Sequence, residues 1–354
     1  MPHYQVHAAS AADAGAGVFL SGQFSSSAGS RPFKLYLPPG YSPEVPAPLL
    51  VALHGCTQNP DNFASGTRFN VLADAHTFLV LYPQQTSQHH SGRCWSWYDP
   101  LNQQRGSGEP AILAGMVDEV CAQYTIDPTR IFLTGMSAGG AMAVIMGVCY
   151  PDYFAAIGVH SGLEYGAARG IASARIAQIR GGPDPDLQGK LAYASAGPAA
   201  RVLPVVVFHG TRDYRVAPIN GEQVIQQFAR FNDYADDGLA NNSITAIADS
   251  IQTSRAPGGY SYVVSTYTAK EQVVMQKYLV DGLGHAWSGG SAAGPATFTD
   301  PHGPDASAIM WDFFAAHPKT SLPVLHFRRP GEIFRAAPAA LKNILPLRKR
   351  KHDR

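Results

Sequence analysis

The chain has 354 residues, 45% of them apolar, 10% aromatic and 15% charged, with 35 glycines, 27 prolines and a formal net charge of +1. That much apolar chain can bury a large core, which excludes a disordered protein, and sparse charge among so many turn formers excludes a coiled coil. The near-zero net charge gives the chain as a whole no electrostatic footprint for nucleic acid or a membrane surface.

Residues 1–30 are rich in Ala, Ser and Gly and read as a loose lead-in, with at most one edge strand near Val18 to Phe24. They show no basic segment followed by an apolar stretch, so no secretory signal is read and the expected compartment is the cytoplasm. Lys34 to Leu37 reads as a strand. Pro48 to Leu53 and Phe78 to Tyr82 are continuously apolar, as strands buried on both faces of a parallel sheet are. These runs are far shorter than the ~18 residues a membrane span needs. From Pro110 to Tyr124, Leu113, Met116, Val117, Val120 and Tyr124 recur at helical spacing.

Ile131 to Thr134 is the next strand and Ala138 to Cys149 a small-residue helix. Strands follow at Ala155 to Val159, Val202 to Phe208 and Gln276 to Val280, with helices near Asn220 to Phe231 and Asp305 to Phe314. This alternation predicts an α/β fold, a doubly wound, mostly parallel sheet with helices on both faces, over residues 31–319. Residues 163–200 break the rhythm and read as an insertion over one edge.

The chemistry-bearing residues sit at the ends of these strands. Gly135-Met136-Ser137-Ala138-Gly139 joins a strand directly to a helix, the turn that lifts a serine hydroxyl above a sheet. A serine needs a base oriented by a carboxylate, expected in chain order Ser, acid, His. Asp213 follows the strand ending at Phe208, and His285 follows the strand ending at Val280. His302 is the rival base and Asp281 the rival acid, the latter reading better as a structural loop residue. Two N–H donors must meet the developing oxyanion. The Ala138 N–H is one; the other comes from His54-Gly55-Cys56-Thr57-Gln58, with Cys56 first and Thr57 second. His54 reads as a residue that fixes this loop.

Leu53 to Asn59, Arg93 to Trp97, Gly135 to Gly140, Gly158 to Gly162, His209 to Asp213 and Gly284 to Trp287 together resemble the poly(3-hydroxybutyrate) depolymerase family of esterases. The resemblance covers roughly residues 18–317. It implies the α/β-hydrolase fold and ester cleavage by a serine triad of Ser137, Asp213 and His285. That family also includes feruloyl and acetylxylan esterases, so the resemblance fixes the reaction better than the substrate. It further leaves open a bond between Cys56 and Cys94, and an extracellular location is the alternative to the cytoplasm if that bond forms or a signal is missing; Cys121 and Cys149 read as buried thiols.

Thr57, Met136, Trp95, Trp97 and Trp287 are candidates to line a substrate pocket, and core packing is the equal alternative for the tryptophans. No cofactor and no metal ligand set is read. The expected substrates are soluble 3-hydroxybutyrate oligomers or short acyl esters, on the ground that only about 35 residues follow the catalytic body. Feruloyl or acetylxylan esters are the alternative, and a hydrolase fold kept for binding is the remote one. The net charge conceals an asymmetry: residues 320–354 hold nine Lys or Arg and two acids, a balance of +7, and the other 18 basic and 24 acidic residues leave −6. This basic tail reads as a solvated extension or as a contact for an anionic surface.

Overall fold

The two-sided apolar runs become the middle of a ten-stranded sheet. The structure, a computed structural model, describes residues 17–292 and 298–320. In chain order the elements are β1 (Val18–Ser26), β2 (Gly29–Leu37), β3 (Ala47–Leu53), α1 (Pro60–Thr67), α2 (Phe69–His76), β4 (Leu79–Pro83), α3 (Gly108–Gln123), β5 (Ile126–Met136), α4 (Ala138–Cys149) and β6 (Ile157–His160). There follow α5 (Ile171–Arg180), α6 (Pro185–Ala196), β7 (Val205–Gly210), α7 (Ile219–Asp237), β8 (Ser250–Arg255), β9 (Ser261–Ala269), β10 (Gln272–Val280), β11 (Trp287–Ser288), β12 (Thr299–Asp300) and α8 (Ala306–Ala315).

The sheet order is β1-β2-β4-β3-β5-β6-β7-β10-β9-β8. Strands β4, β3, β5, β6, β7 and β10 run parallel, while β1 and β2 on one side and β9 and β8 on the other are antiparallel additions. Residues alternate between the two faces of a strand. Leu49, Val51 and Leu53 of β3 therefore join a core with the α3, α4 and α7 side, and Leu50 and Ala52 join a second core with α1, α2 and α8. Because the central strands are parallel, the loops after β3, β5, β7 and β10 all leave the same end of the sheet, where ligands bind in such folds.

Three expectations change. The edge strand expected near Val18 to Phe24 is present as β1, and what changes is its extent, since it runs to Ser26 and pairs with a β2 that already starts at Gly29. Residues 163–200 do not cover a sheet edge: α6 packs on α7 and α4, and α5 packs on α7, over one face. A hairpin of β8 and β9 precedes β10, where no strand was expected. Residues 1–16 and the basic tail from 321 onward lie outside the described residues.

Candidate active site

The site begins with a close approach of backbones. A Cβ at Gly139 would lie 2.2 Å from the Leu53 carbonyl oxygen and 2.6 Å from that of His54, and one at Gly135 would lie 2.3 Å from the Gly139 carbonyl oxygen. Only glycine lets α4 start this close to β5 and β3. Between the two glycines Ser137 takes φ 57° and ψ −121°. A non-glycine residue held there costs about 1–3 kcal/mol, a strain typical of functional turns. The Ser137 N–H is anchored on the His160 carbonyl at 2.9 Å, which leaves the side chain facing a cleft.

The loops after β7 and β10 bring the other two residues. They are zipped together by Thr211 N–H to the Val280 carbonyl and Arg212 N–H to the Leu283 carbonyl, each 2.9 Å. His285 Nδ1 lies 2.7 Å from Asp213 Oδ2. Asp213 Oδ1 accepts the backbone N–H groups of Arg215 and Val216 at 3.0 and 2.9 Å. Burial raises the Asp213 pKa, but the His285 hydrogen bond and the charges and N–H donors around it outweigh that and hold it below the usual carboxylate range. His209 supports the loop from below, its Nε2 donating to the Val216 carbonyl at 2.8 Å.

The loop after β3, expected to supply an oxyanion donor, commits most of its N–H groups elsewhere. Gly55 N–H donates to Gln58 Oε1 at 2.9 Å, Gln58 N–H to the Gly55 carbonyl at 3.3 Å, and Thr57 N–H to the Gly92 carbonyl at 2.8 Å. Among the described residues this leaves the Cys56 N–H without an acceptor, on the wall of the cleft that holds Ser137. The N–H of Thr57, the second candidate donor, is committed to the Gly92 carbonyl. Ala138 is the first residue of α4, so its N–H has no intrahelical acceptor. His54 fixes the loop: Nδ1 bonds the Gly55 carbonyl at 2.7 Å and Nε2 accepts the Gln85 N–H at 3.0 Å. Burial lowers its pKa to about 4, so it is neutral at pH 7.

Cys56 and Cys94 form a disulfide across 38 residues, tying the loop after β3 to the segment that carries Trp95 and Trp97. Cys121 and the buried Cys149 are free thiols, both pushed up to about 12 by burial. Closing a loop of that length is worth about 4 kcal/mol through the unfolded chain. Complete reduction, or Cys94→Ala, is expected to lower Tm by about 6–12 °C. A melt that stays unchanged after thiol titration confirms reduction would show that the loop is held without the bond.

The cleft has a volume of about 130 Å³ and is lined by Gly55, Cys56, Thr57, Gln58, Met136, Ser137, Gln178, Arg215, Val216, His285 and Phe298. Thr57 and Met136 are therefore at its wall. The three tryptophans are not. Trp287 is fully buried, stacked on His160 at 4.9 Å and edge-on to Phe63 and Phe69. Trp95 is likewise buried and donates Nε1–H to the His54 carbonyl at 3.1 Å. Trp97 is nearly so, with Gln103 Nε2 donating to its carbonyl at 2.8 Å. They shape the loops from inside the core and do not touch the cleft. Asp281 accepts from Thr211 Oγ1 on the surface, and His302 pairs with Asp300 on an exposed turn, so neither rival reaches the cleft.

Several supporting residues gave no sequence signal. Glu109 is buried beneath the site, accepting Ser96 N–H at 2.8 Å and contacting Gln85 and Arg31. Burial raises its pKa, against the pull of those partners. Gln178 comes from the inserted helix α5, which the Ala217 N–H ties to the Asp213 loop through the Gln178 carbonyl at 2.7 Å.

A parallel sheet that raises a serine on a strained strand-to-helix turn, with acid and histidine on later loops, is the α/β-hydrolase fold. Within that fold the chain belongs to the PHB depolymerase esterase family: the profile described as "Esterase PHB depolymerase" matches residues 31–250. It is 33% identical over 270 residues to poly(3-hydroxyalkanoate) depolymerase C of Paucimonas lemoignei, covering 75% of this chain and 60% of that protein. It is 30% identical over 193 residues to a probable acetylxylan esterase A of Neosartorya fischeri, covering 51% of this chain and 50% of the other. Thus the chain spans about half to two thirds of the length of these curated relatives. Among solved structures, an acetyl xylan esterase from Aspergillus awamori superposes with a TM-score of 0.61 at 22% identity, over 75% of this chain and 93% of that one, a likeness of fold.

Proposed function

We propose that the protein is a serine carboxylic-ester hydrolase that works through an acyl-enzyme, on 3-hydroxybutyrate-type oligomers or other short acyl esters. The observation that carries this is the 2.7 Å bond between Asp213 and His285 at a cleft shared with Ser137 on its elbow. Ser137 Oγ attacks the ester carbonyl carbon while His285 Nε2 takes its proton. Asp213 stabilises the imidazolium. The oxyanion accepts the N–H groups of Cys56 and Ala138. As the tetrahedral intermediate collapses, His285 returns the proton to the departing alcohol. Water then repeats the cycle on the acyl-enzyme and releases the acid.

Cleft size supports a short acyl group. Pockets for drug-sized ligands run to roughly 300–1,000 Å³, so about 130 Å³ suits a few carbons. A feruloyl group needs an aromatic slot, and the tryptophans that might have built one are in the core. Acetyl esters fit as well as hydroxybutyryl ones, which keeps the acetylxylan reading as the second. Turnover of p-nitrophenyl acetate and of 3-hydroxybutyrate oligomers by the purified protein is expected to exceed that of methyl ferulate at least about tenfold in kcat/KM. The reverse order would overturn the short-acyl assignment. The Cys56–Cys94 disulfide supports the extracellular alternative over the cytoplasm.

A further inference from the structure

Among the described residues that line the cleft, Arg215 is a cation that the reaction does not use. Of the thirteen arginines among the described residues, Arg31, Arg68, Arg105, Arg130 and Arg230 close ion pairs and eight do not, so what sets Arg215 apart is its place on the cleft wall. Among the described residues Arg215 closes none, and its guanidinium lies 5.9 Å from the centre of the Phe298 ring, another residue of the cleft wall. Its backbone is held at the Asp213 loop, where its N–H donates to Asp213 Oδ1 at 3.0 Å. The free guanidinium is thus rooted two residues from the carboxylate that orients His285. A neutral acyl ester gives such a group nothing to do. A guanidinium with no acid of its own offers a planar fork that matches a carboxylate.

We infer that Arg215 binds a free carboxylate on the substrate, so that the enzyme selects esters of hydroxy acids cleaved at or next to their acid end. This rests on the ester-hydrolase reading above. The side of the cleft follows from the chain: Arg215 shares a loop with Asp213, and the histidine that Asp213 orients delivers its proton to the leaving alcohol. The carboxylate is therefore that of the departing hydroxy acid, and an oligomer would lose its carboxyl-terminal unit. Atoms balance as in any hydrolysis, with the ester and one water giving a shortened acid and a free hydroxy acid. The Gln178 amide, on the same wall, supplies a further polar group for the chain between the two ends.

The test is a matched pair of substrates, the linear dimer of 3-hydroxybutyric acid as its free acid and the same dimer with its terminal carboxyl converted to a primary amide. At pH 7 the acid is ionised and the amide is neutral at almost the same size. We expect the ratio of kcat/KM for acid over amide to be about 10–100 in the intact protein, carried mainly by KM, and to shrink in high salt. Arg215→Gln is expected to bring that ratio to within about threefold of unity, and Arg215→Lys to retain part of it as a point charge without the fork. A wild-type ratio near one, or a ratio that Arg215→Gln leaves above about ten, overturns the inference. If Arg215→Gln does not fold, the wild-type ratio and the lysine variant decide it. Turnover of p-nitrophenyl acetate with a ratio of one would sink the carboxylate contact alone; no turnover of any of the three esters would sink the hydrolase reading with it.

Discussion

Ser137→Ala is expected to lower turnover of p-nitrophenyl acetate by at least about 10⁴-fold while leaving the thermal melt in place. The first half follows from chemistry, because among the described residues no other hydroxyl shares the cleft with His285 except that of Thr57, whose Oγ1 is turned to the Cys56 carbonyl at 2.6 Å. The second half follows from the backbone. Alanine keeps a Cβ at φ 57° and so keeps the strain, and the lost hydroxyl is a single polar atom at the wall of the cleft. Glycine removes the strain as well, so Ser137→Gly is expected to be inactive and more stable by about 1 kcal/mol, a few degrees at most in Tm. Loss of function with gain of stability is the signature of a turn strained for its task. A fluorophosphonate probe should label the wild type and neither variant. Activity of Ser137→Ala above about a hundredth of wild type would remove Ser137 from the mechanism, and a wild type that resists the probe would favour a fold kept for binding.

What the sequence made legible is the part ruled by pattern. The all-apolar Ala47–Leu53 strand and the Ala138–Cys149 helix bury nearly every side chain, so composition alone marks them, and the elbow between strand and helix leaves glycines at fixed spacing. The hairpin of β8 and β9 escaped because β8 is an edge whose six residues, Ser250–Arg255, are all exposed and carry no alternation. Helices α1 and α2 escaped because each is only eight residues long and they meet at a left-handed Arg68, a conformation that favours glycine but here holds an arginine. The tryptophans show the harder limit. A large aromatic beside a catalytic motif packs or binds according to what lies behind it, and behind Trp287 lie Phe63, Phe69 and His160, which are 127 or more residues away in the chain. Arg215 was invisible for the opposite reason: an exposed arginine gains meaning only when the fold brings its loop to the wall of the cleft.

Asp213→Asn is expected to cost about 10⁴ in kcat, the amount such a change costs in a serine triad, with little change in fold. The local hydrogen bonds dictate the reason. The Oδ1 position accepts two backbone N–H groups, from Arg215 and Val216, so an amide nitrogen cannot sit there without opposing both donors. The asparagine must therefore keep its oxygen at that position and turn its NH₂ toward His285 Nδ1. That nitrogen is then an acceptor, the ring proton moves to Nε2, and the lone pair that should take the Ser137 proton is gone. The defect is a wrong tautomer in a correct geometry, so raising the pH should recover part of the rate by bringing hydroxide in as an external base, whereas Ser137→Ala should stay flat. The wild-type carboxylate carries the matching stability term. Its folded pKa lies below the unfolded value of ~3.9, so its contribution is complete above that value and is lost as pH falls through the folded pKa. The acid limb of unfolding in Asp213→Asn should therefore be less steep than in the wild type below about pH 4. Equal steepness in the two proteins would place Asp213 outside the acid-sensitive set, and a kcat within tenfold of wild type would show that His285 is oriented by some other group.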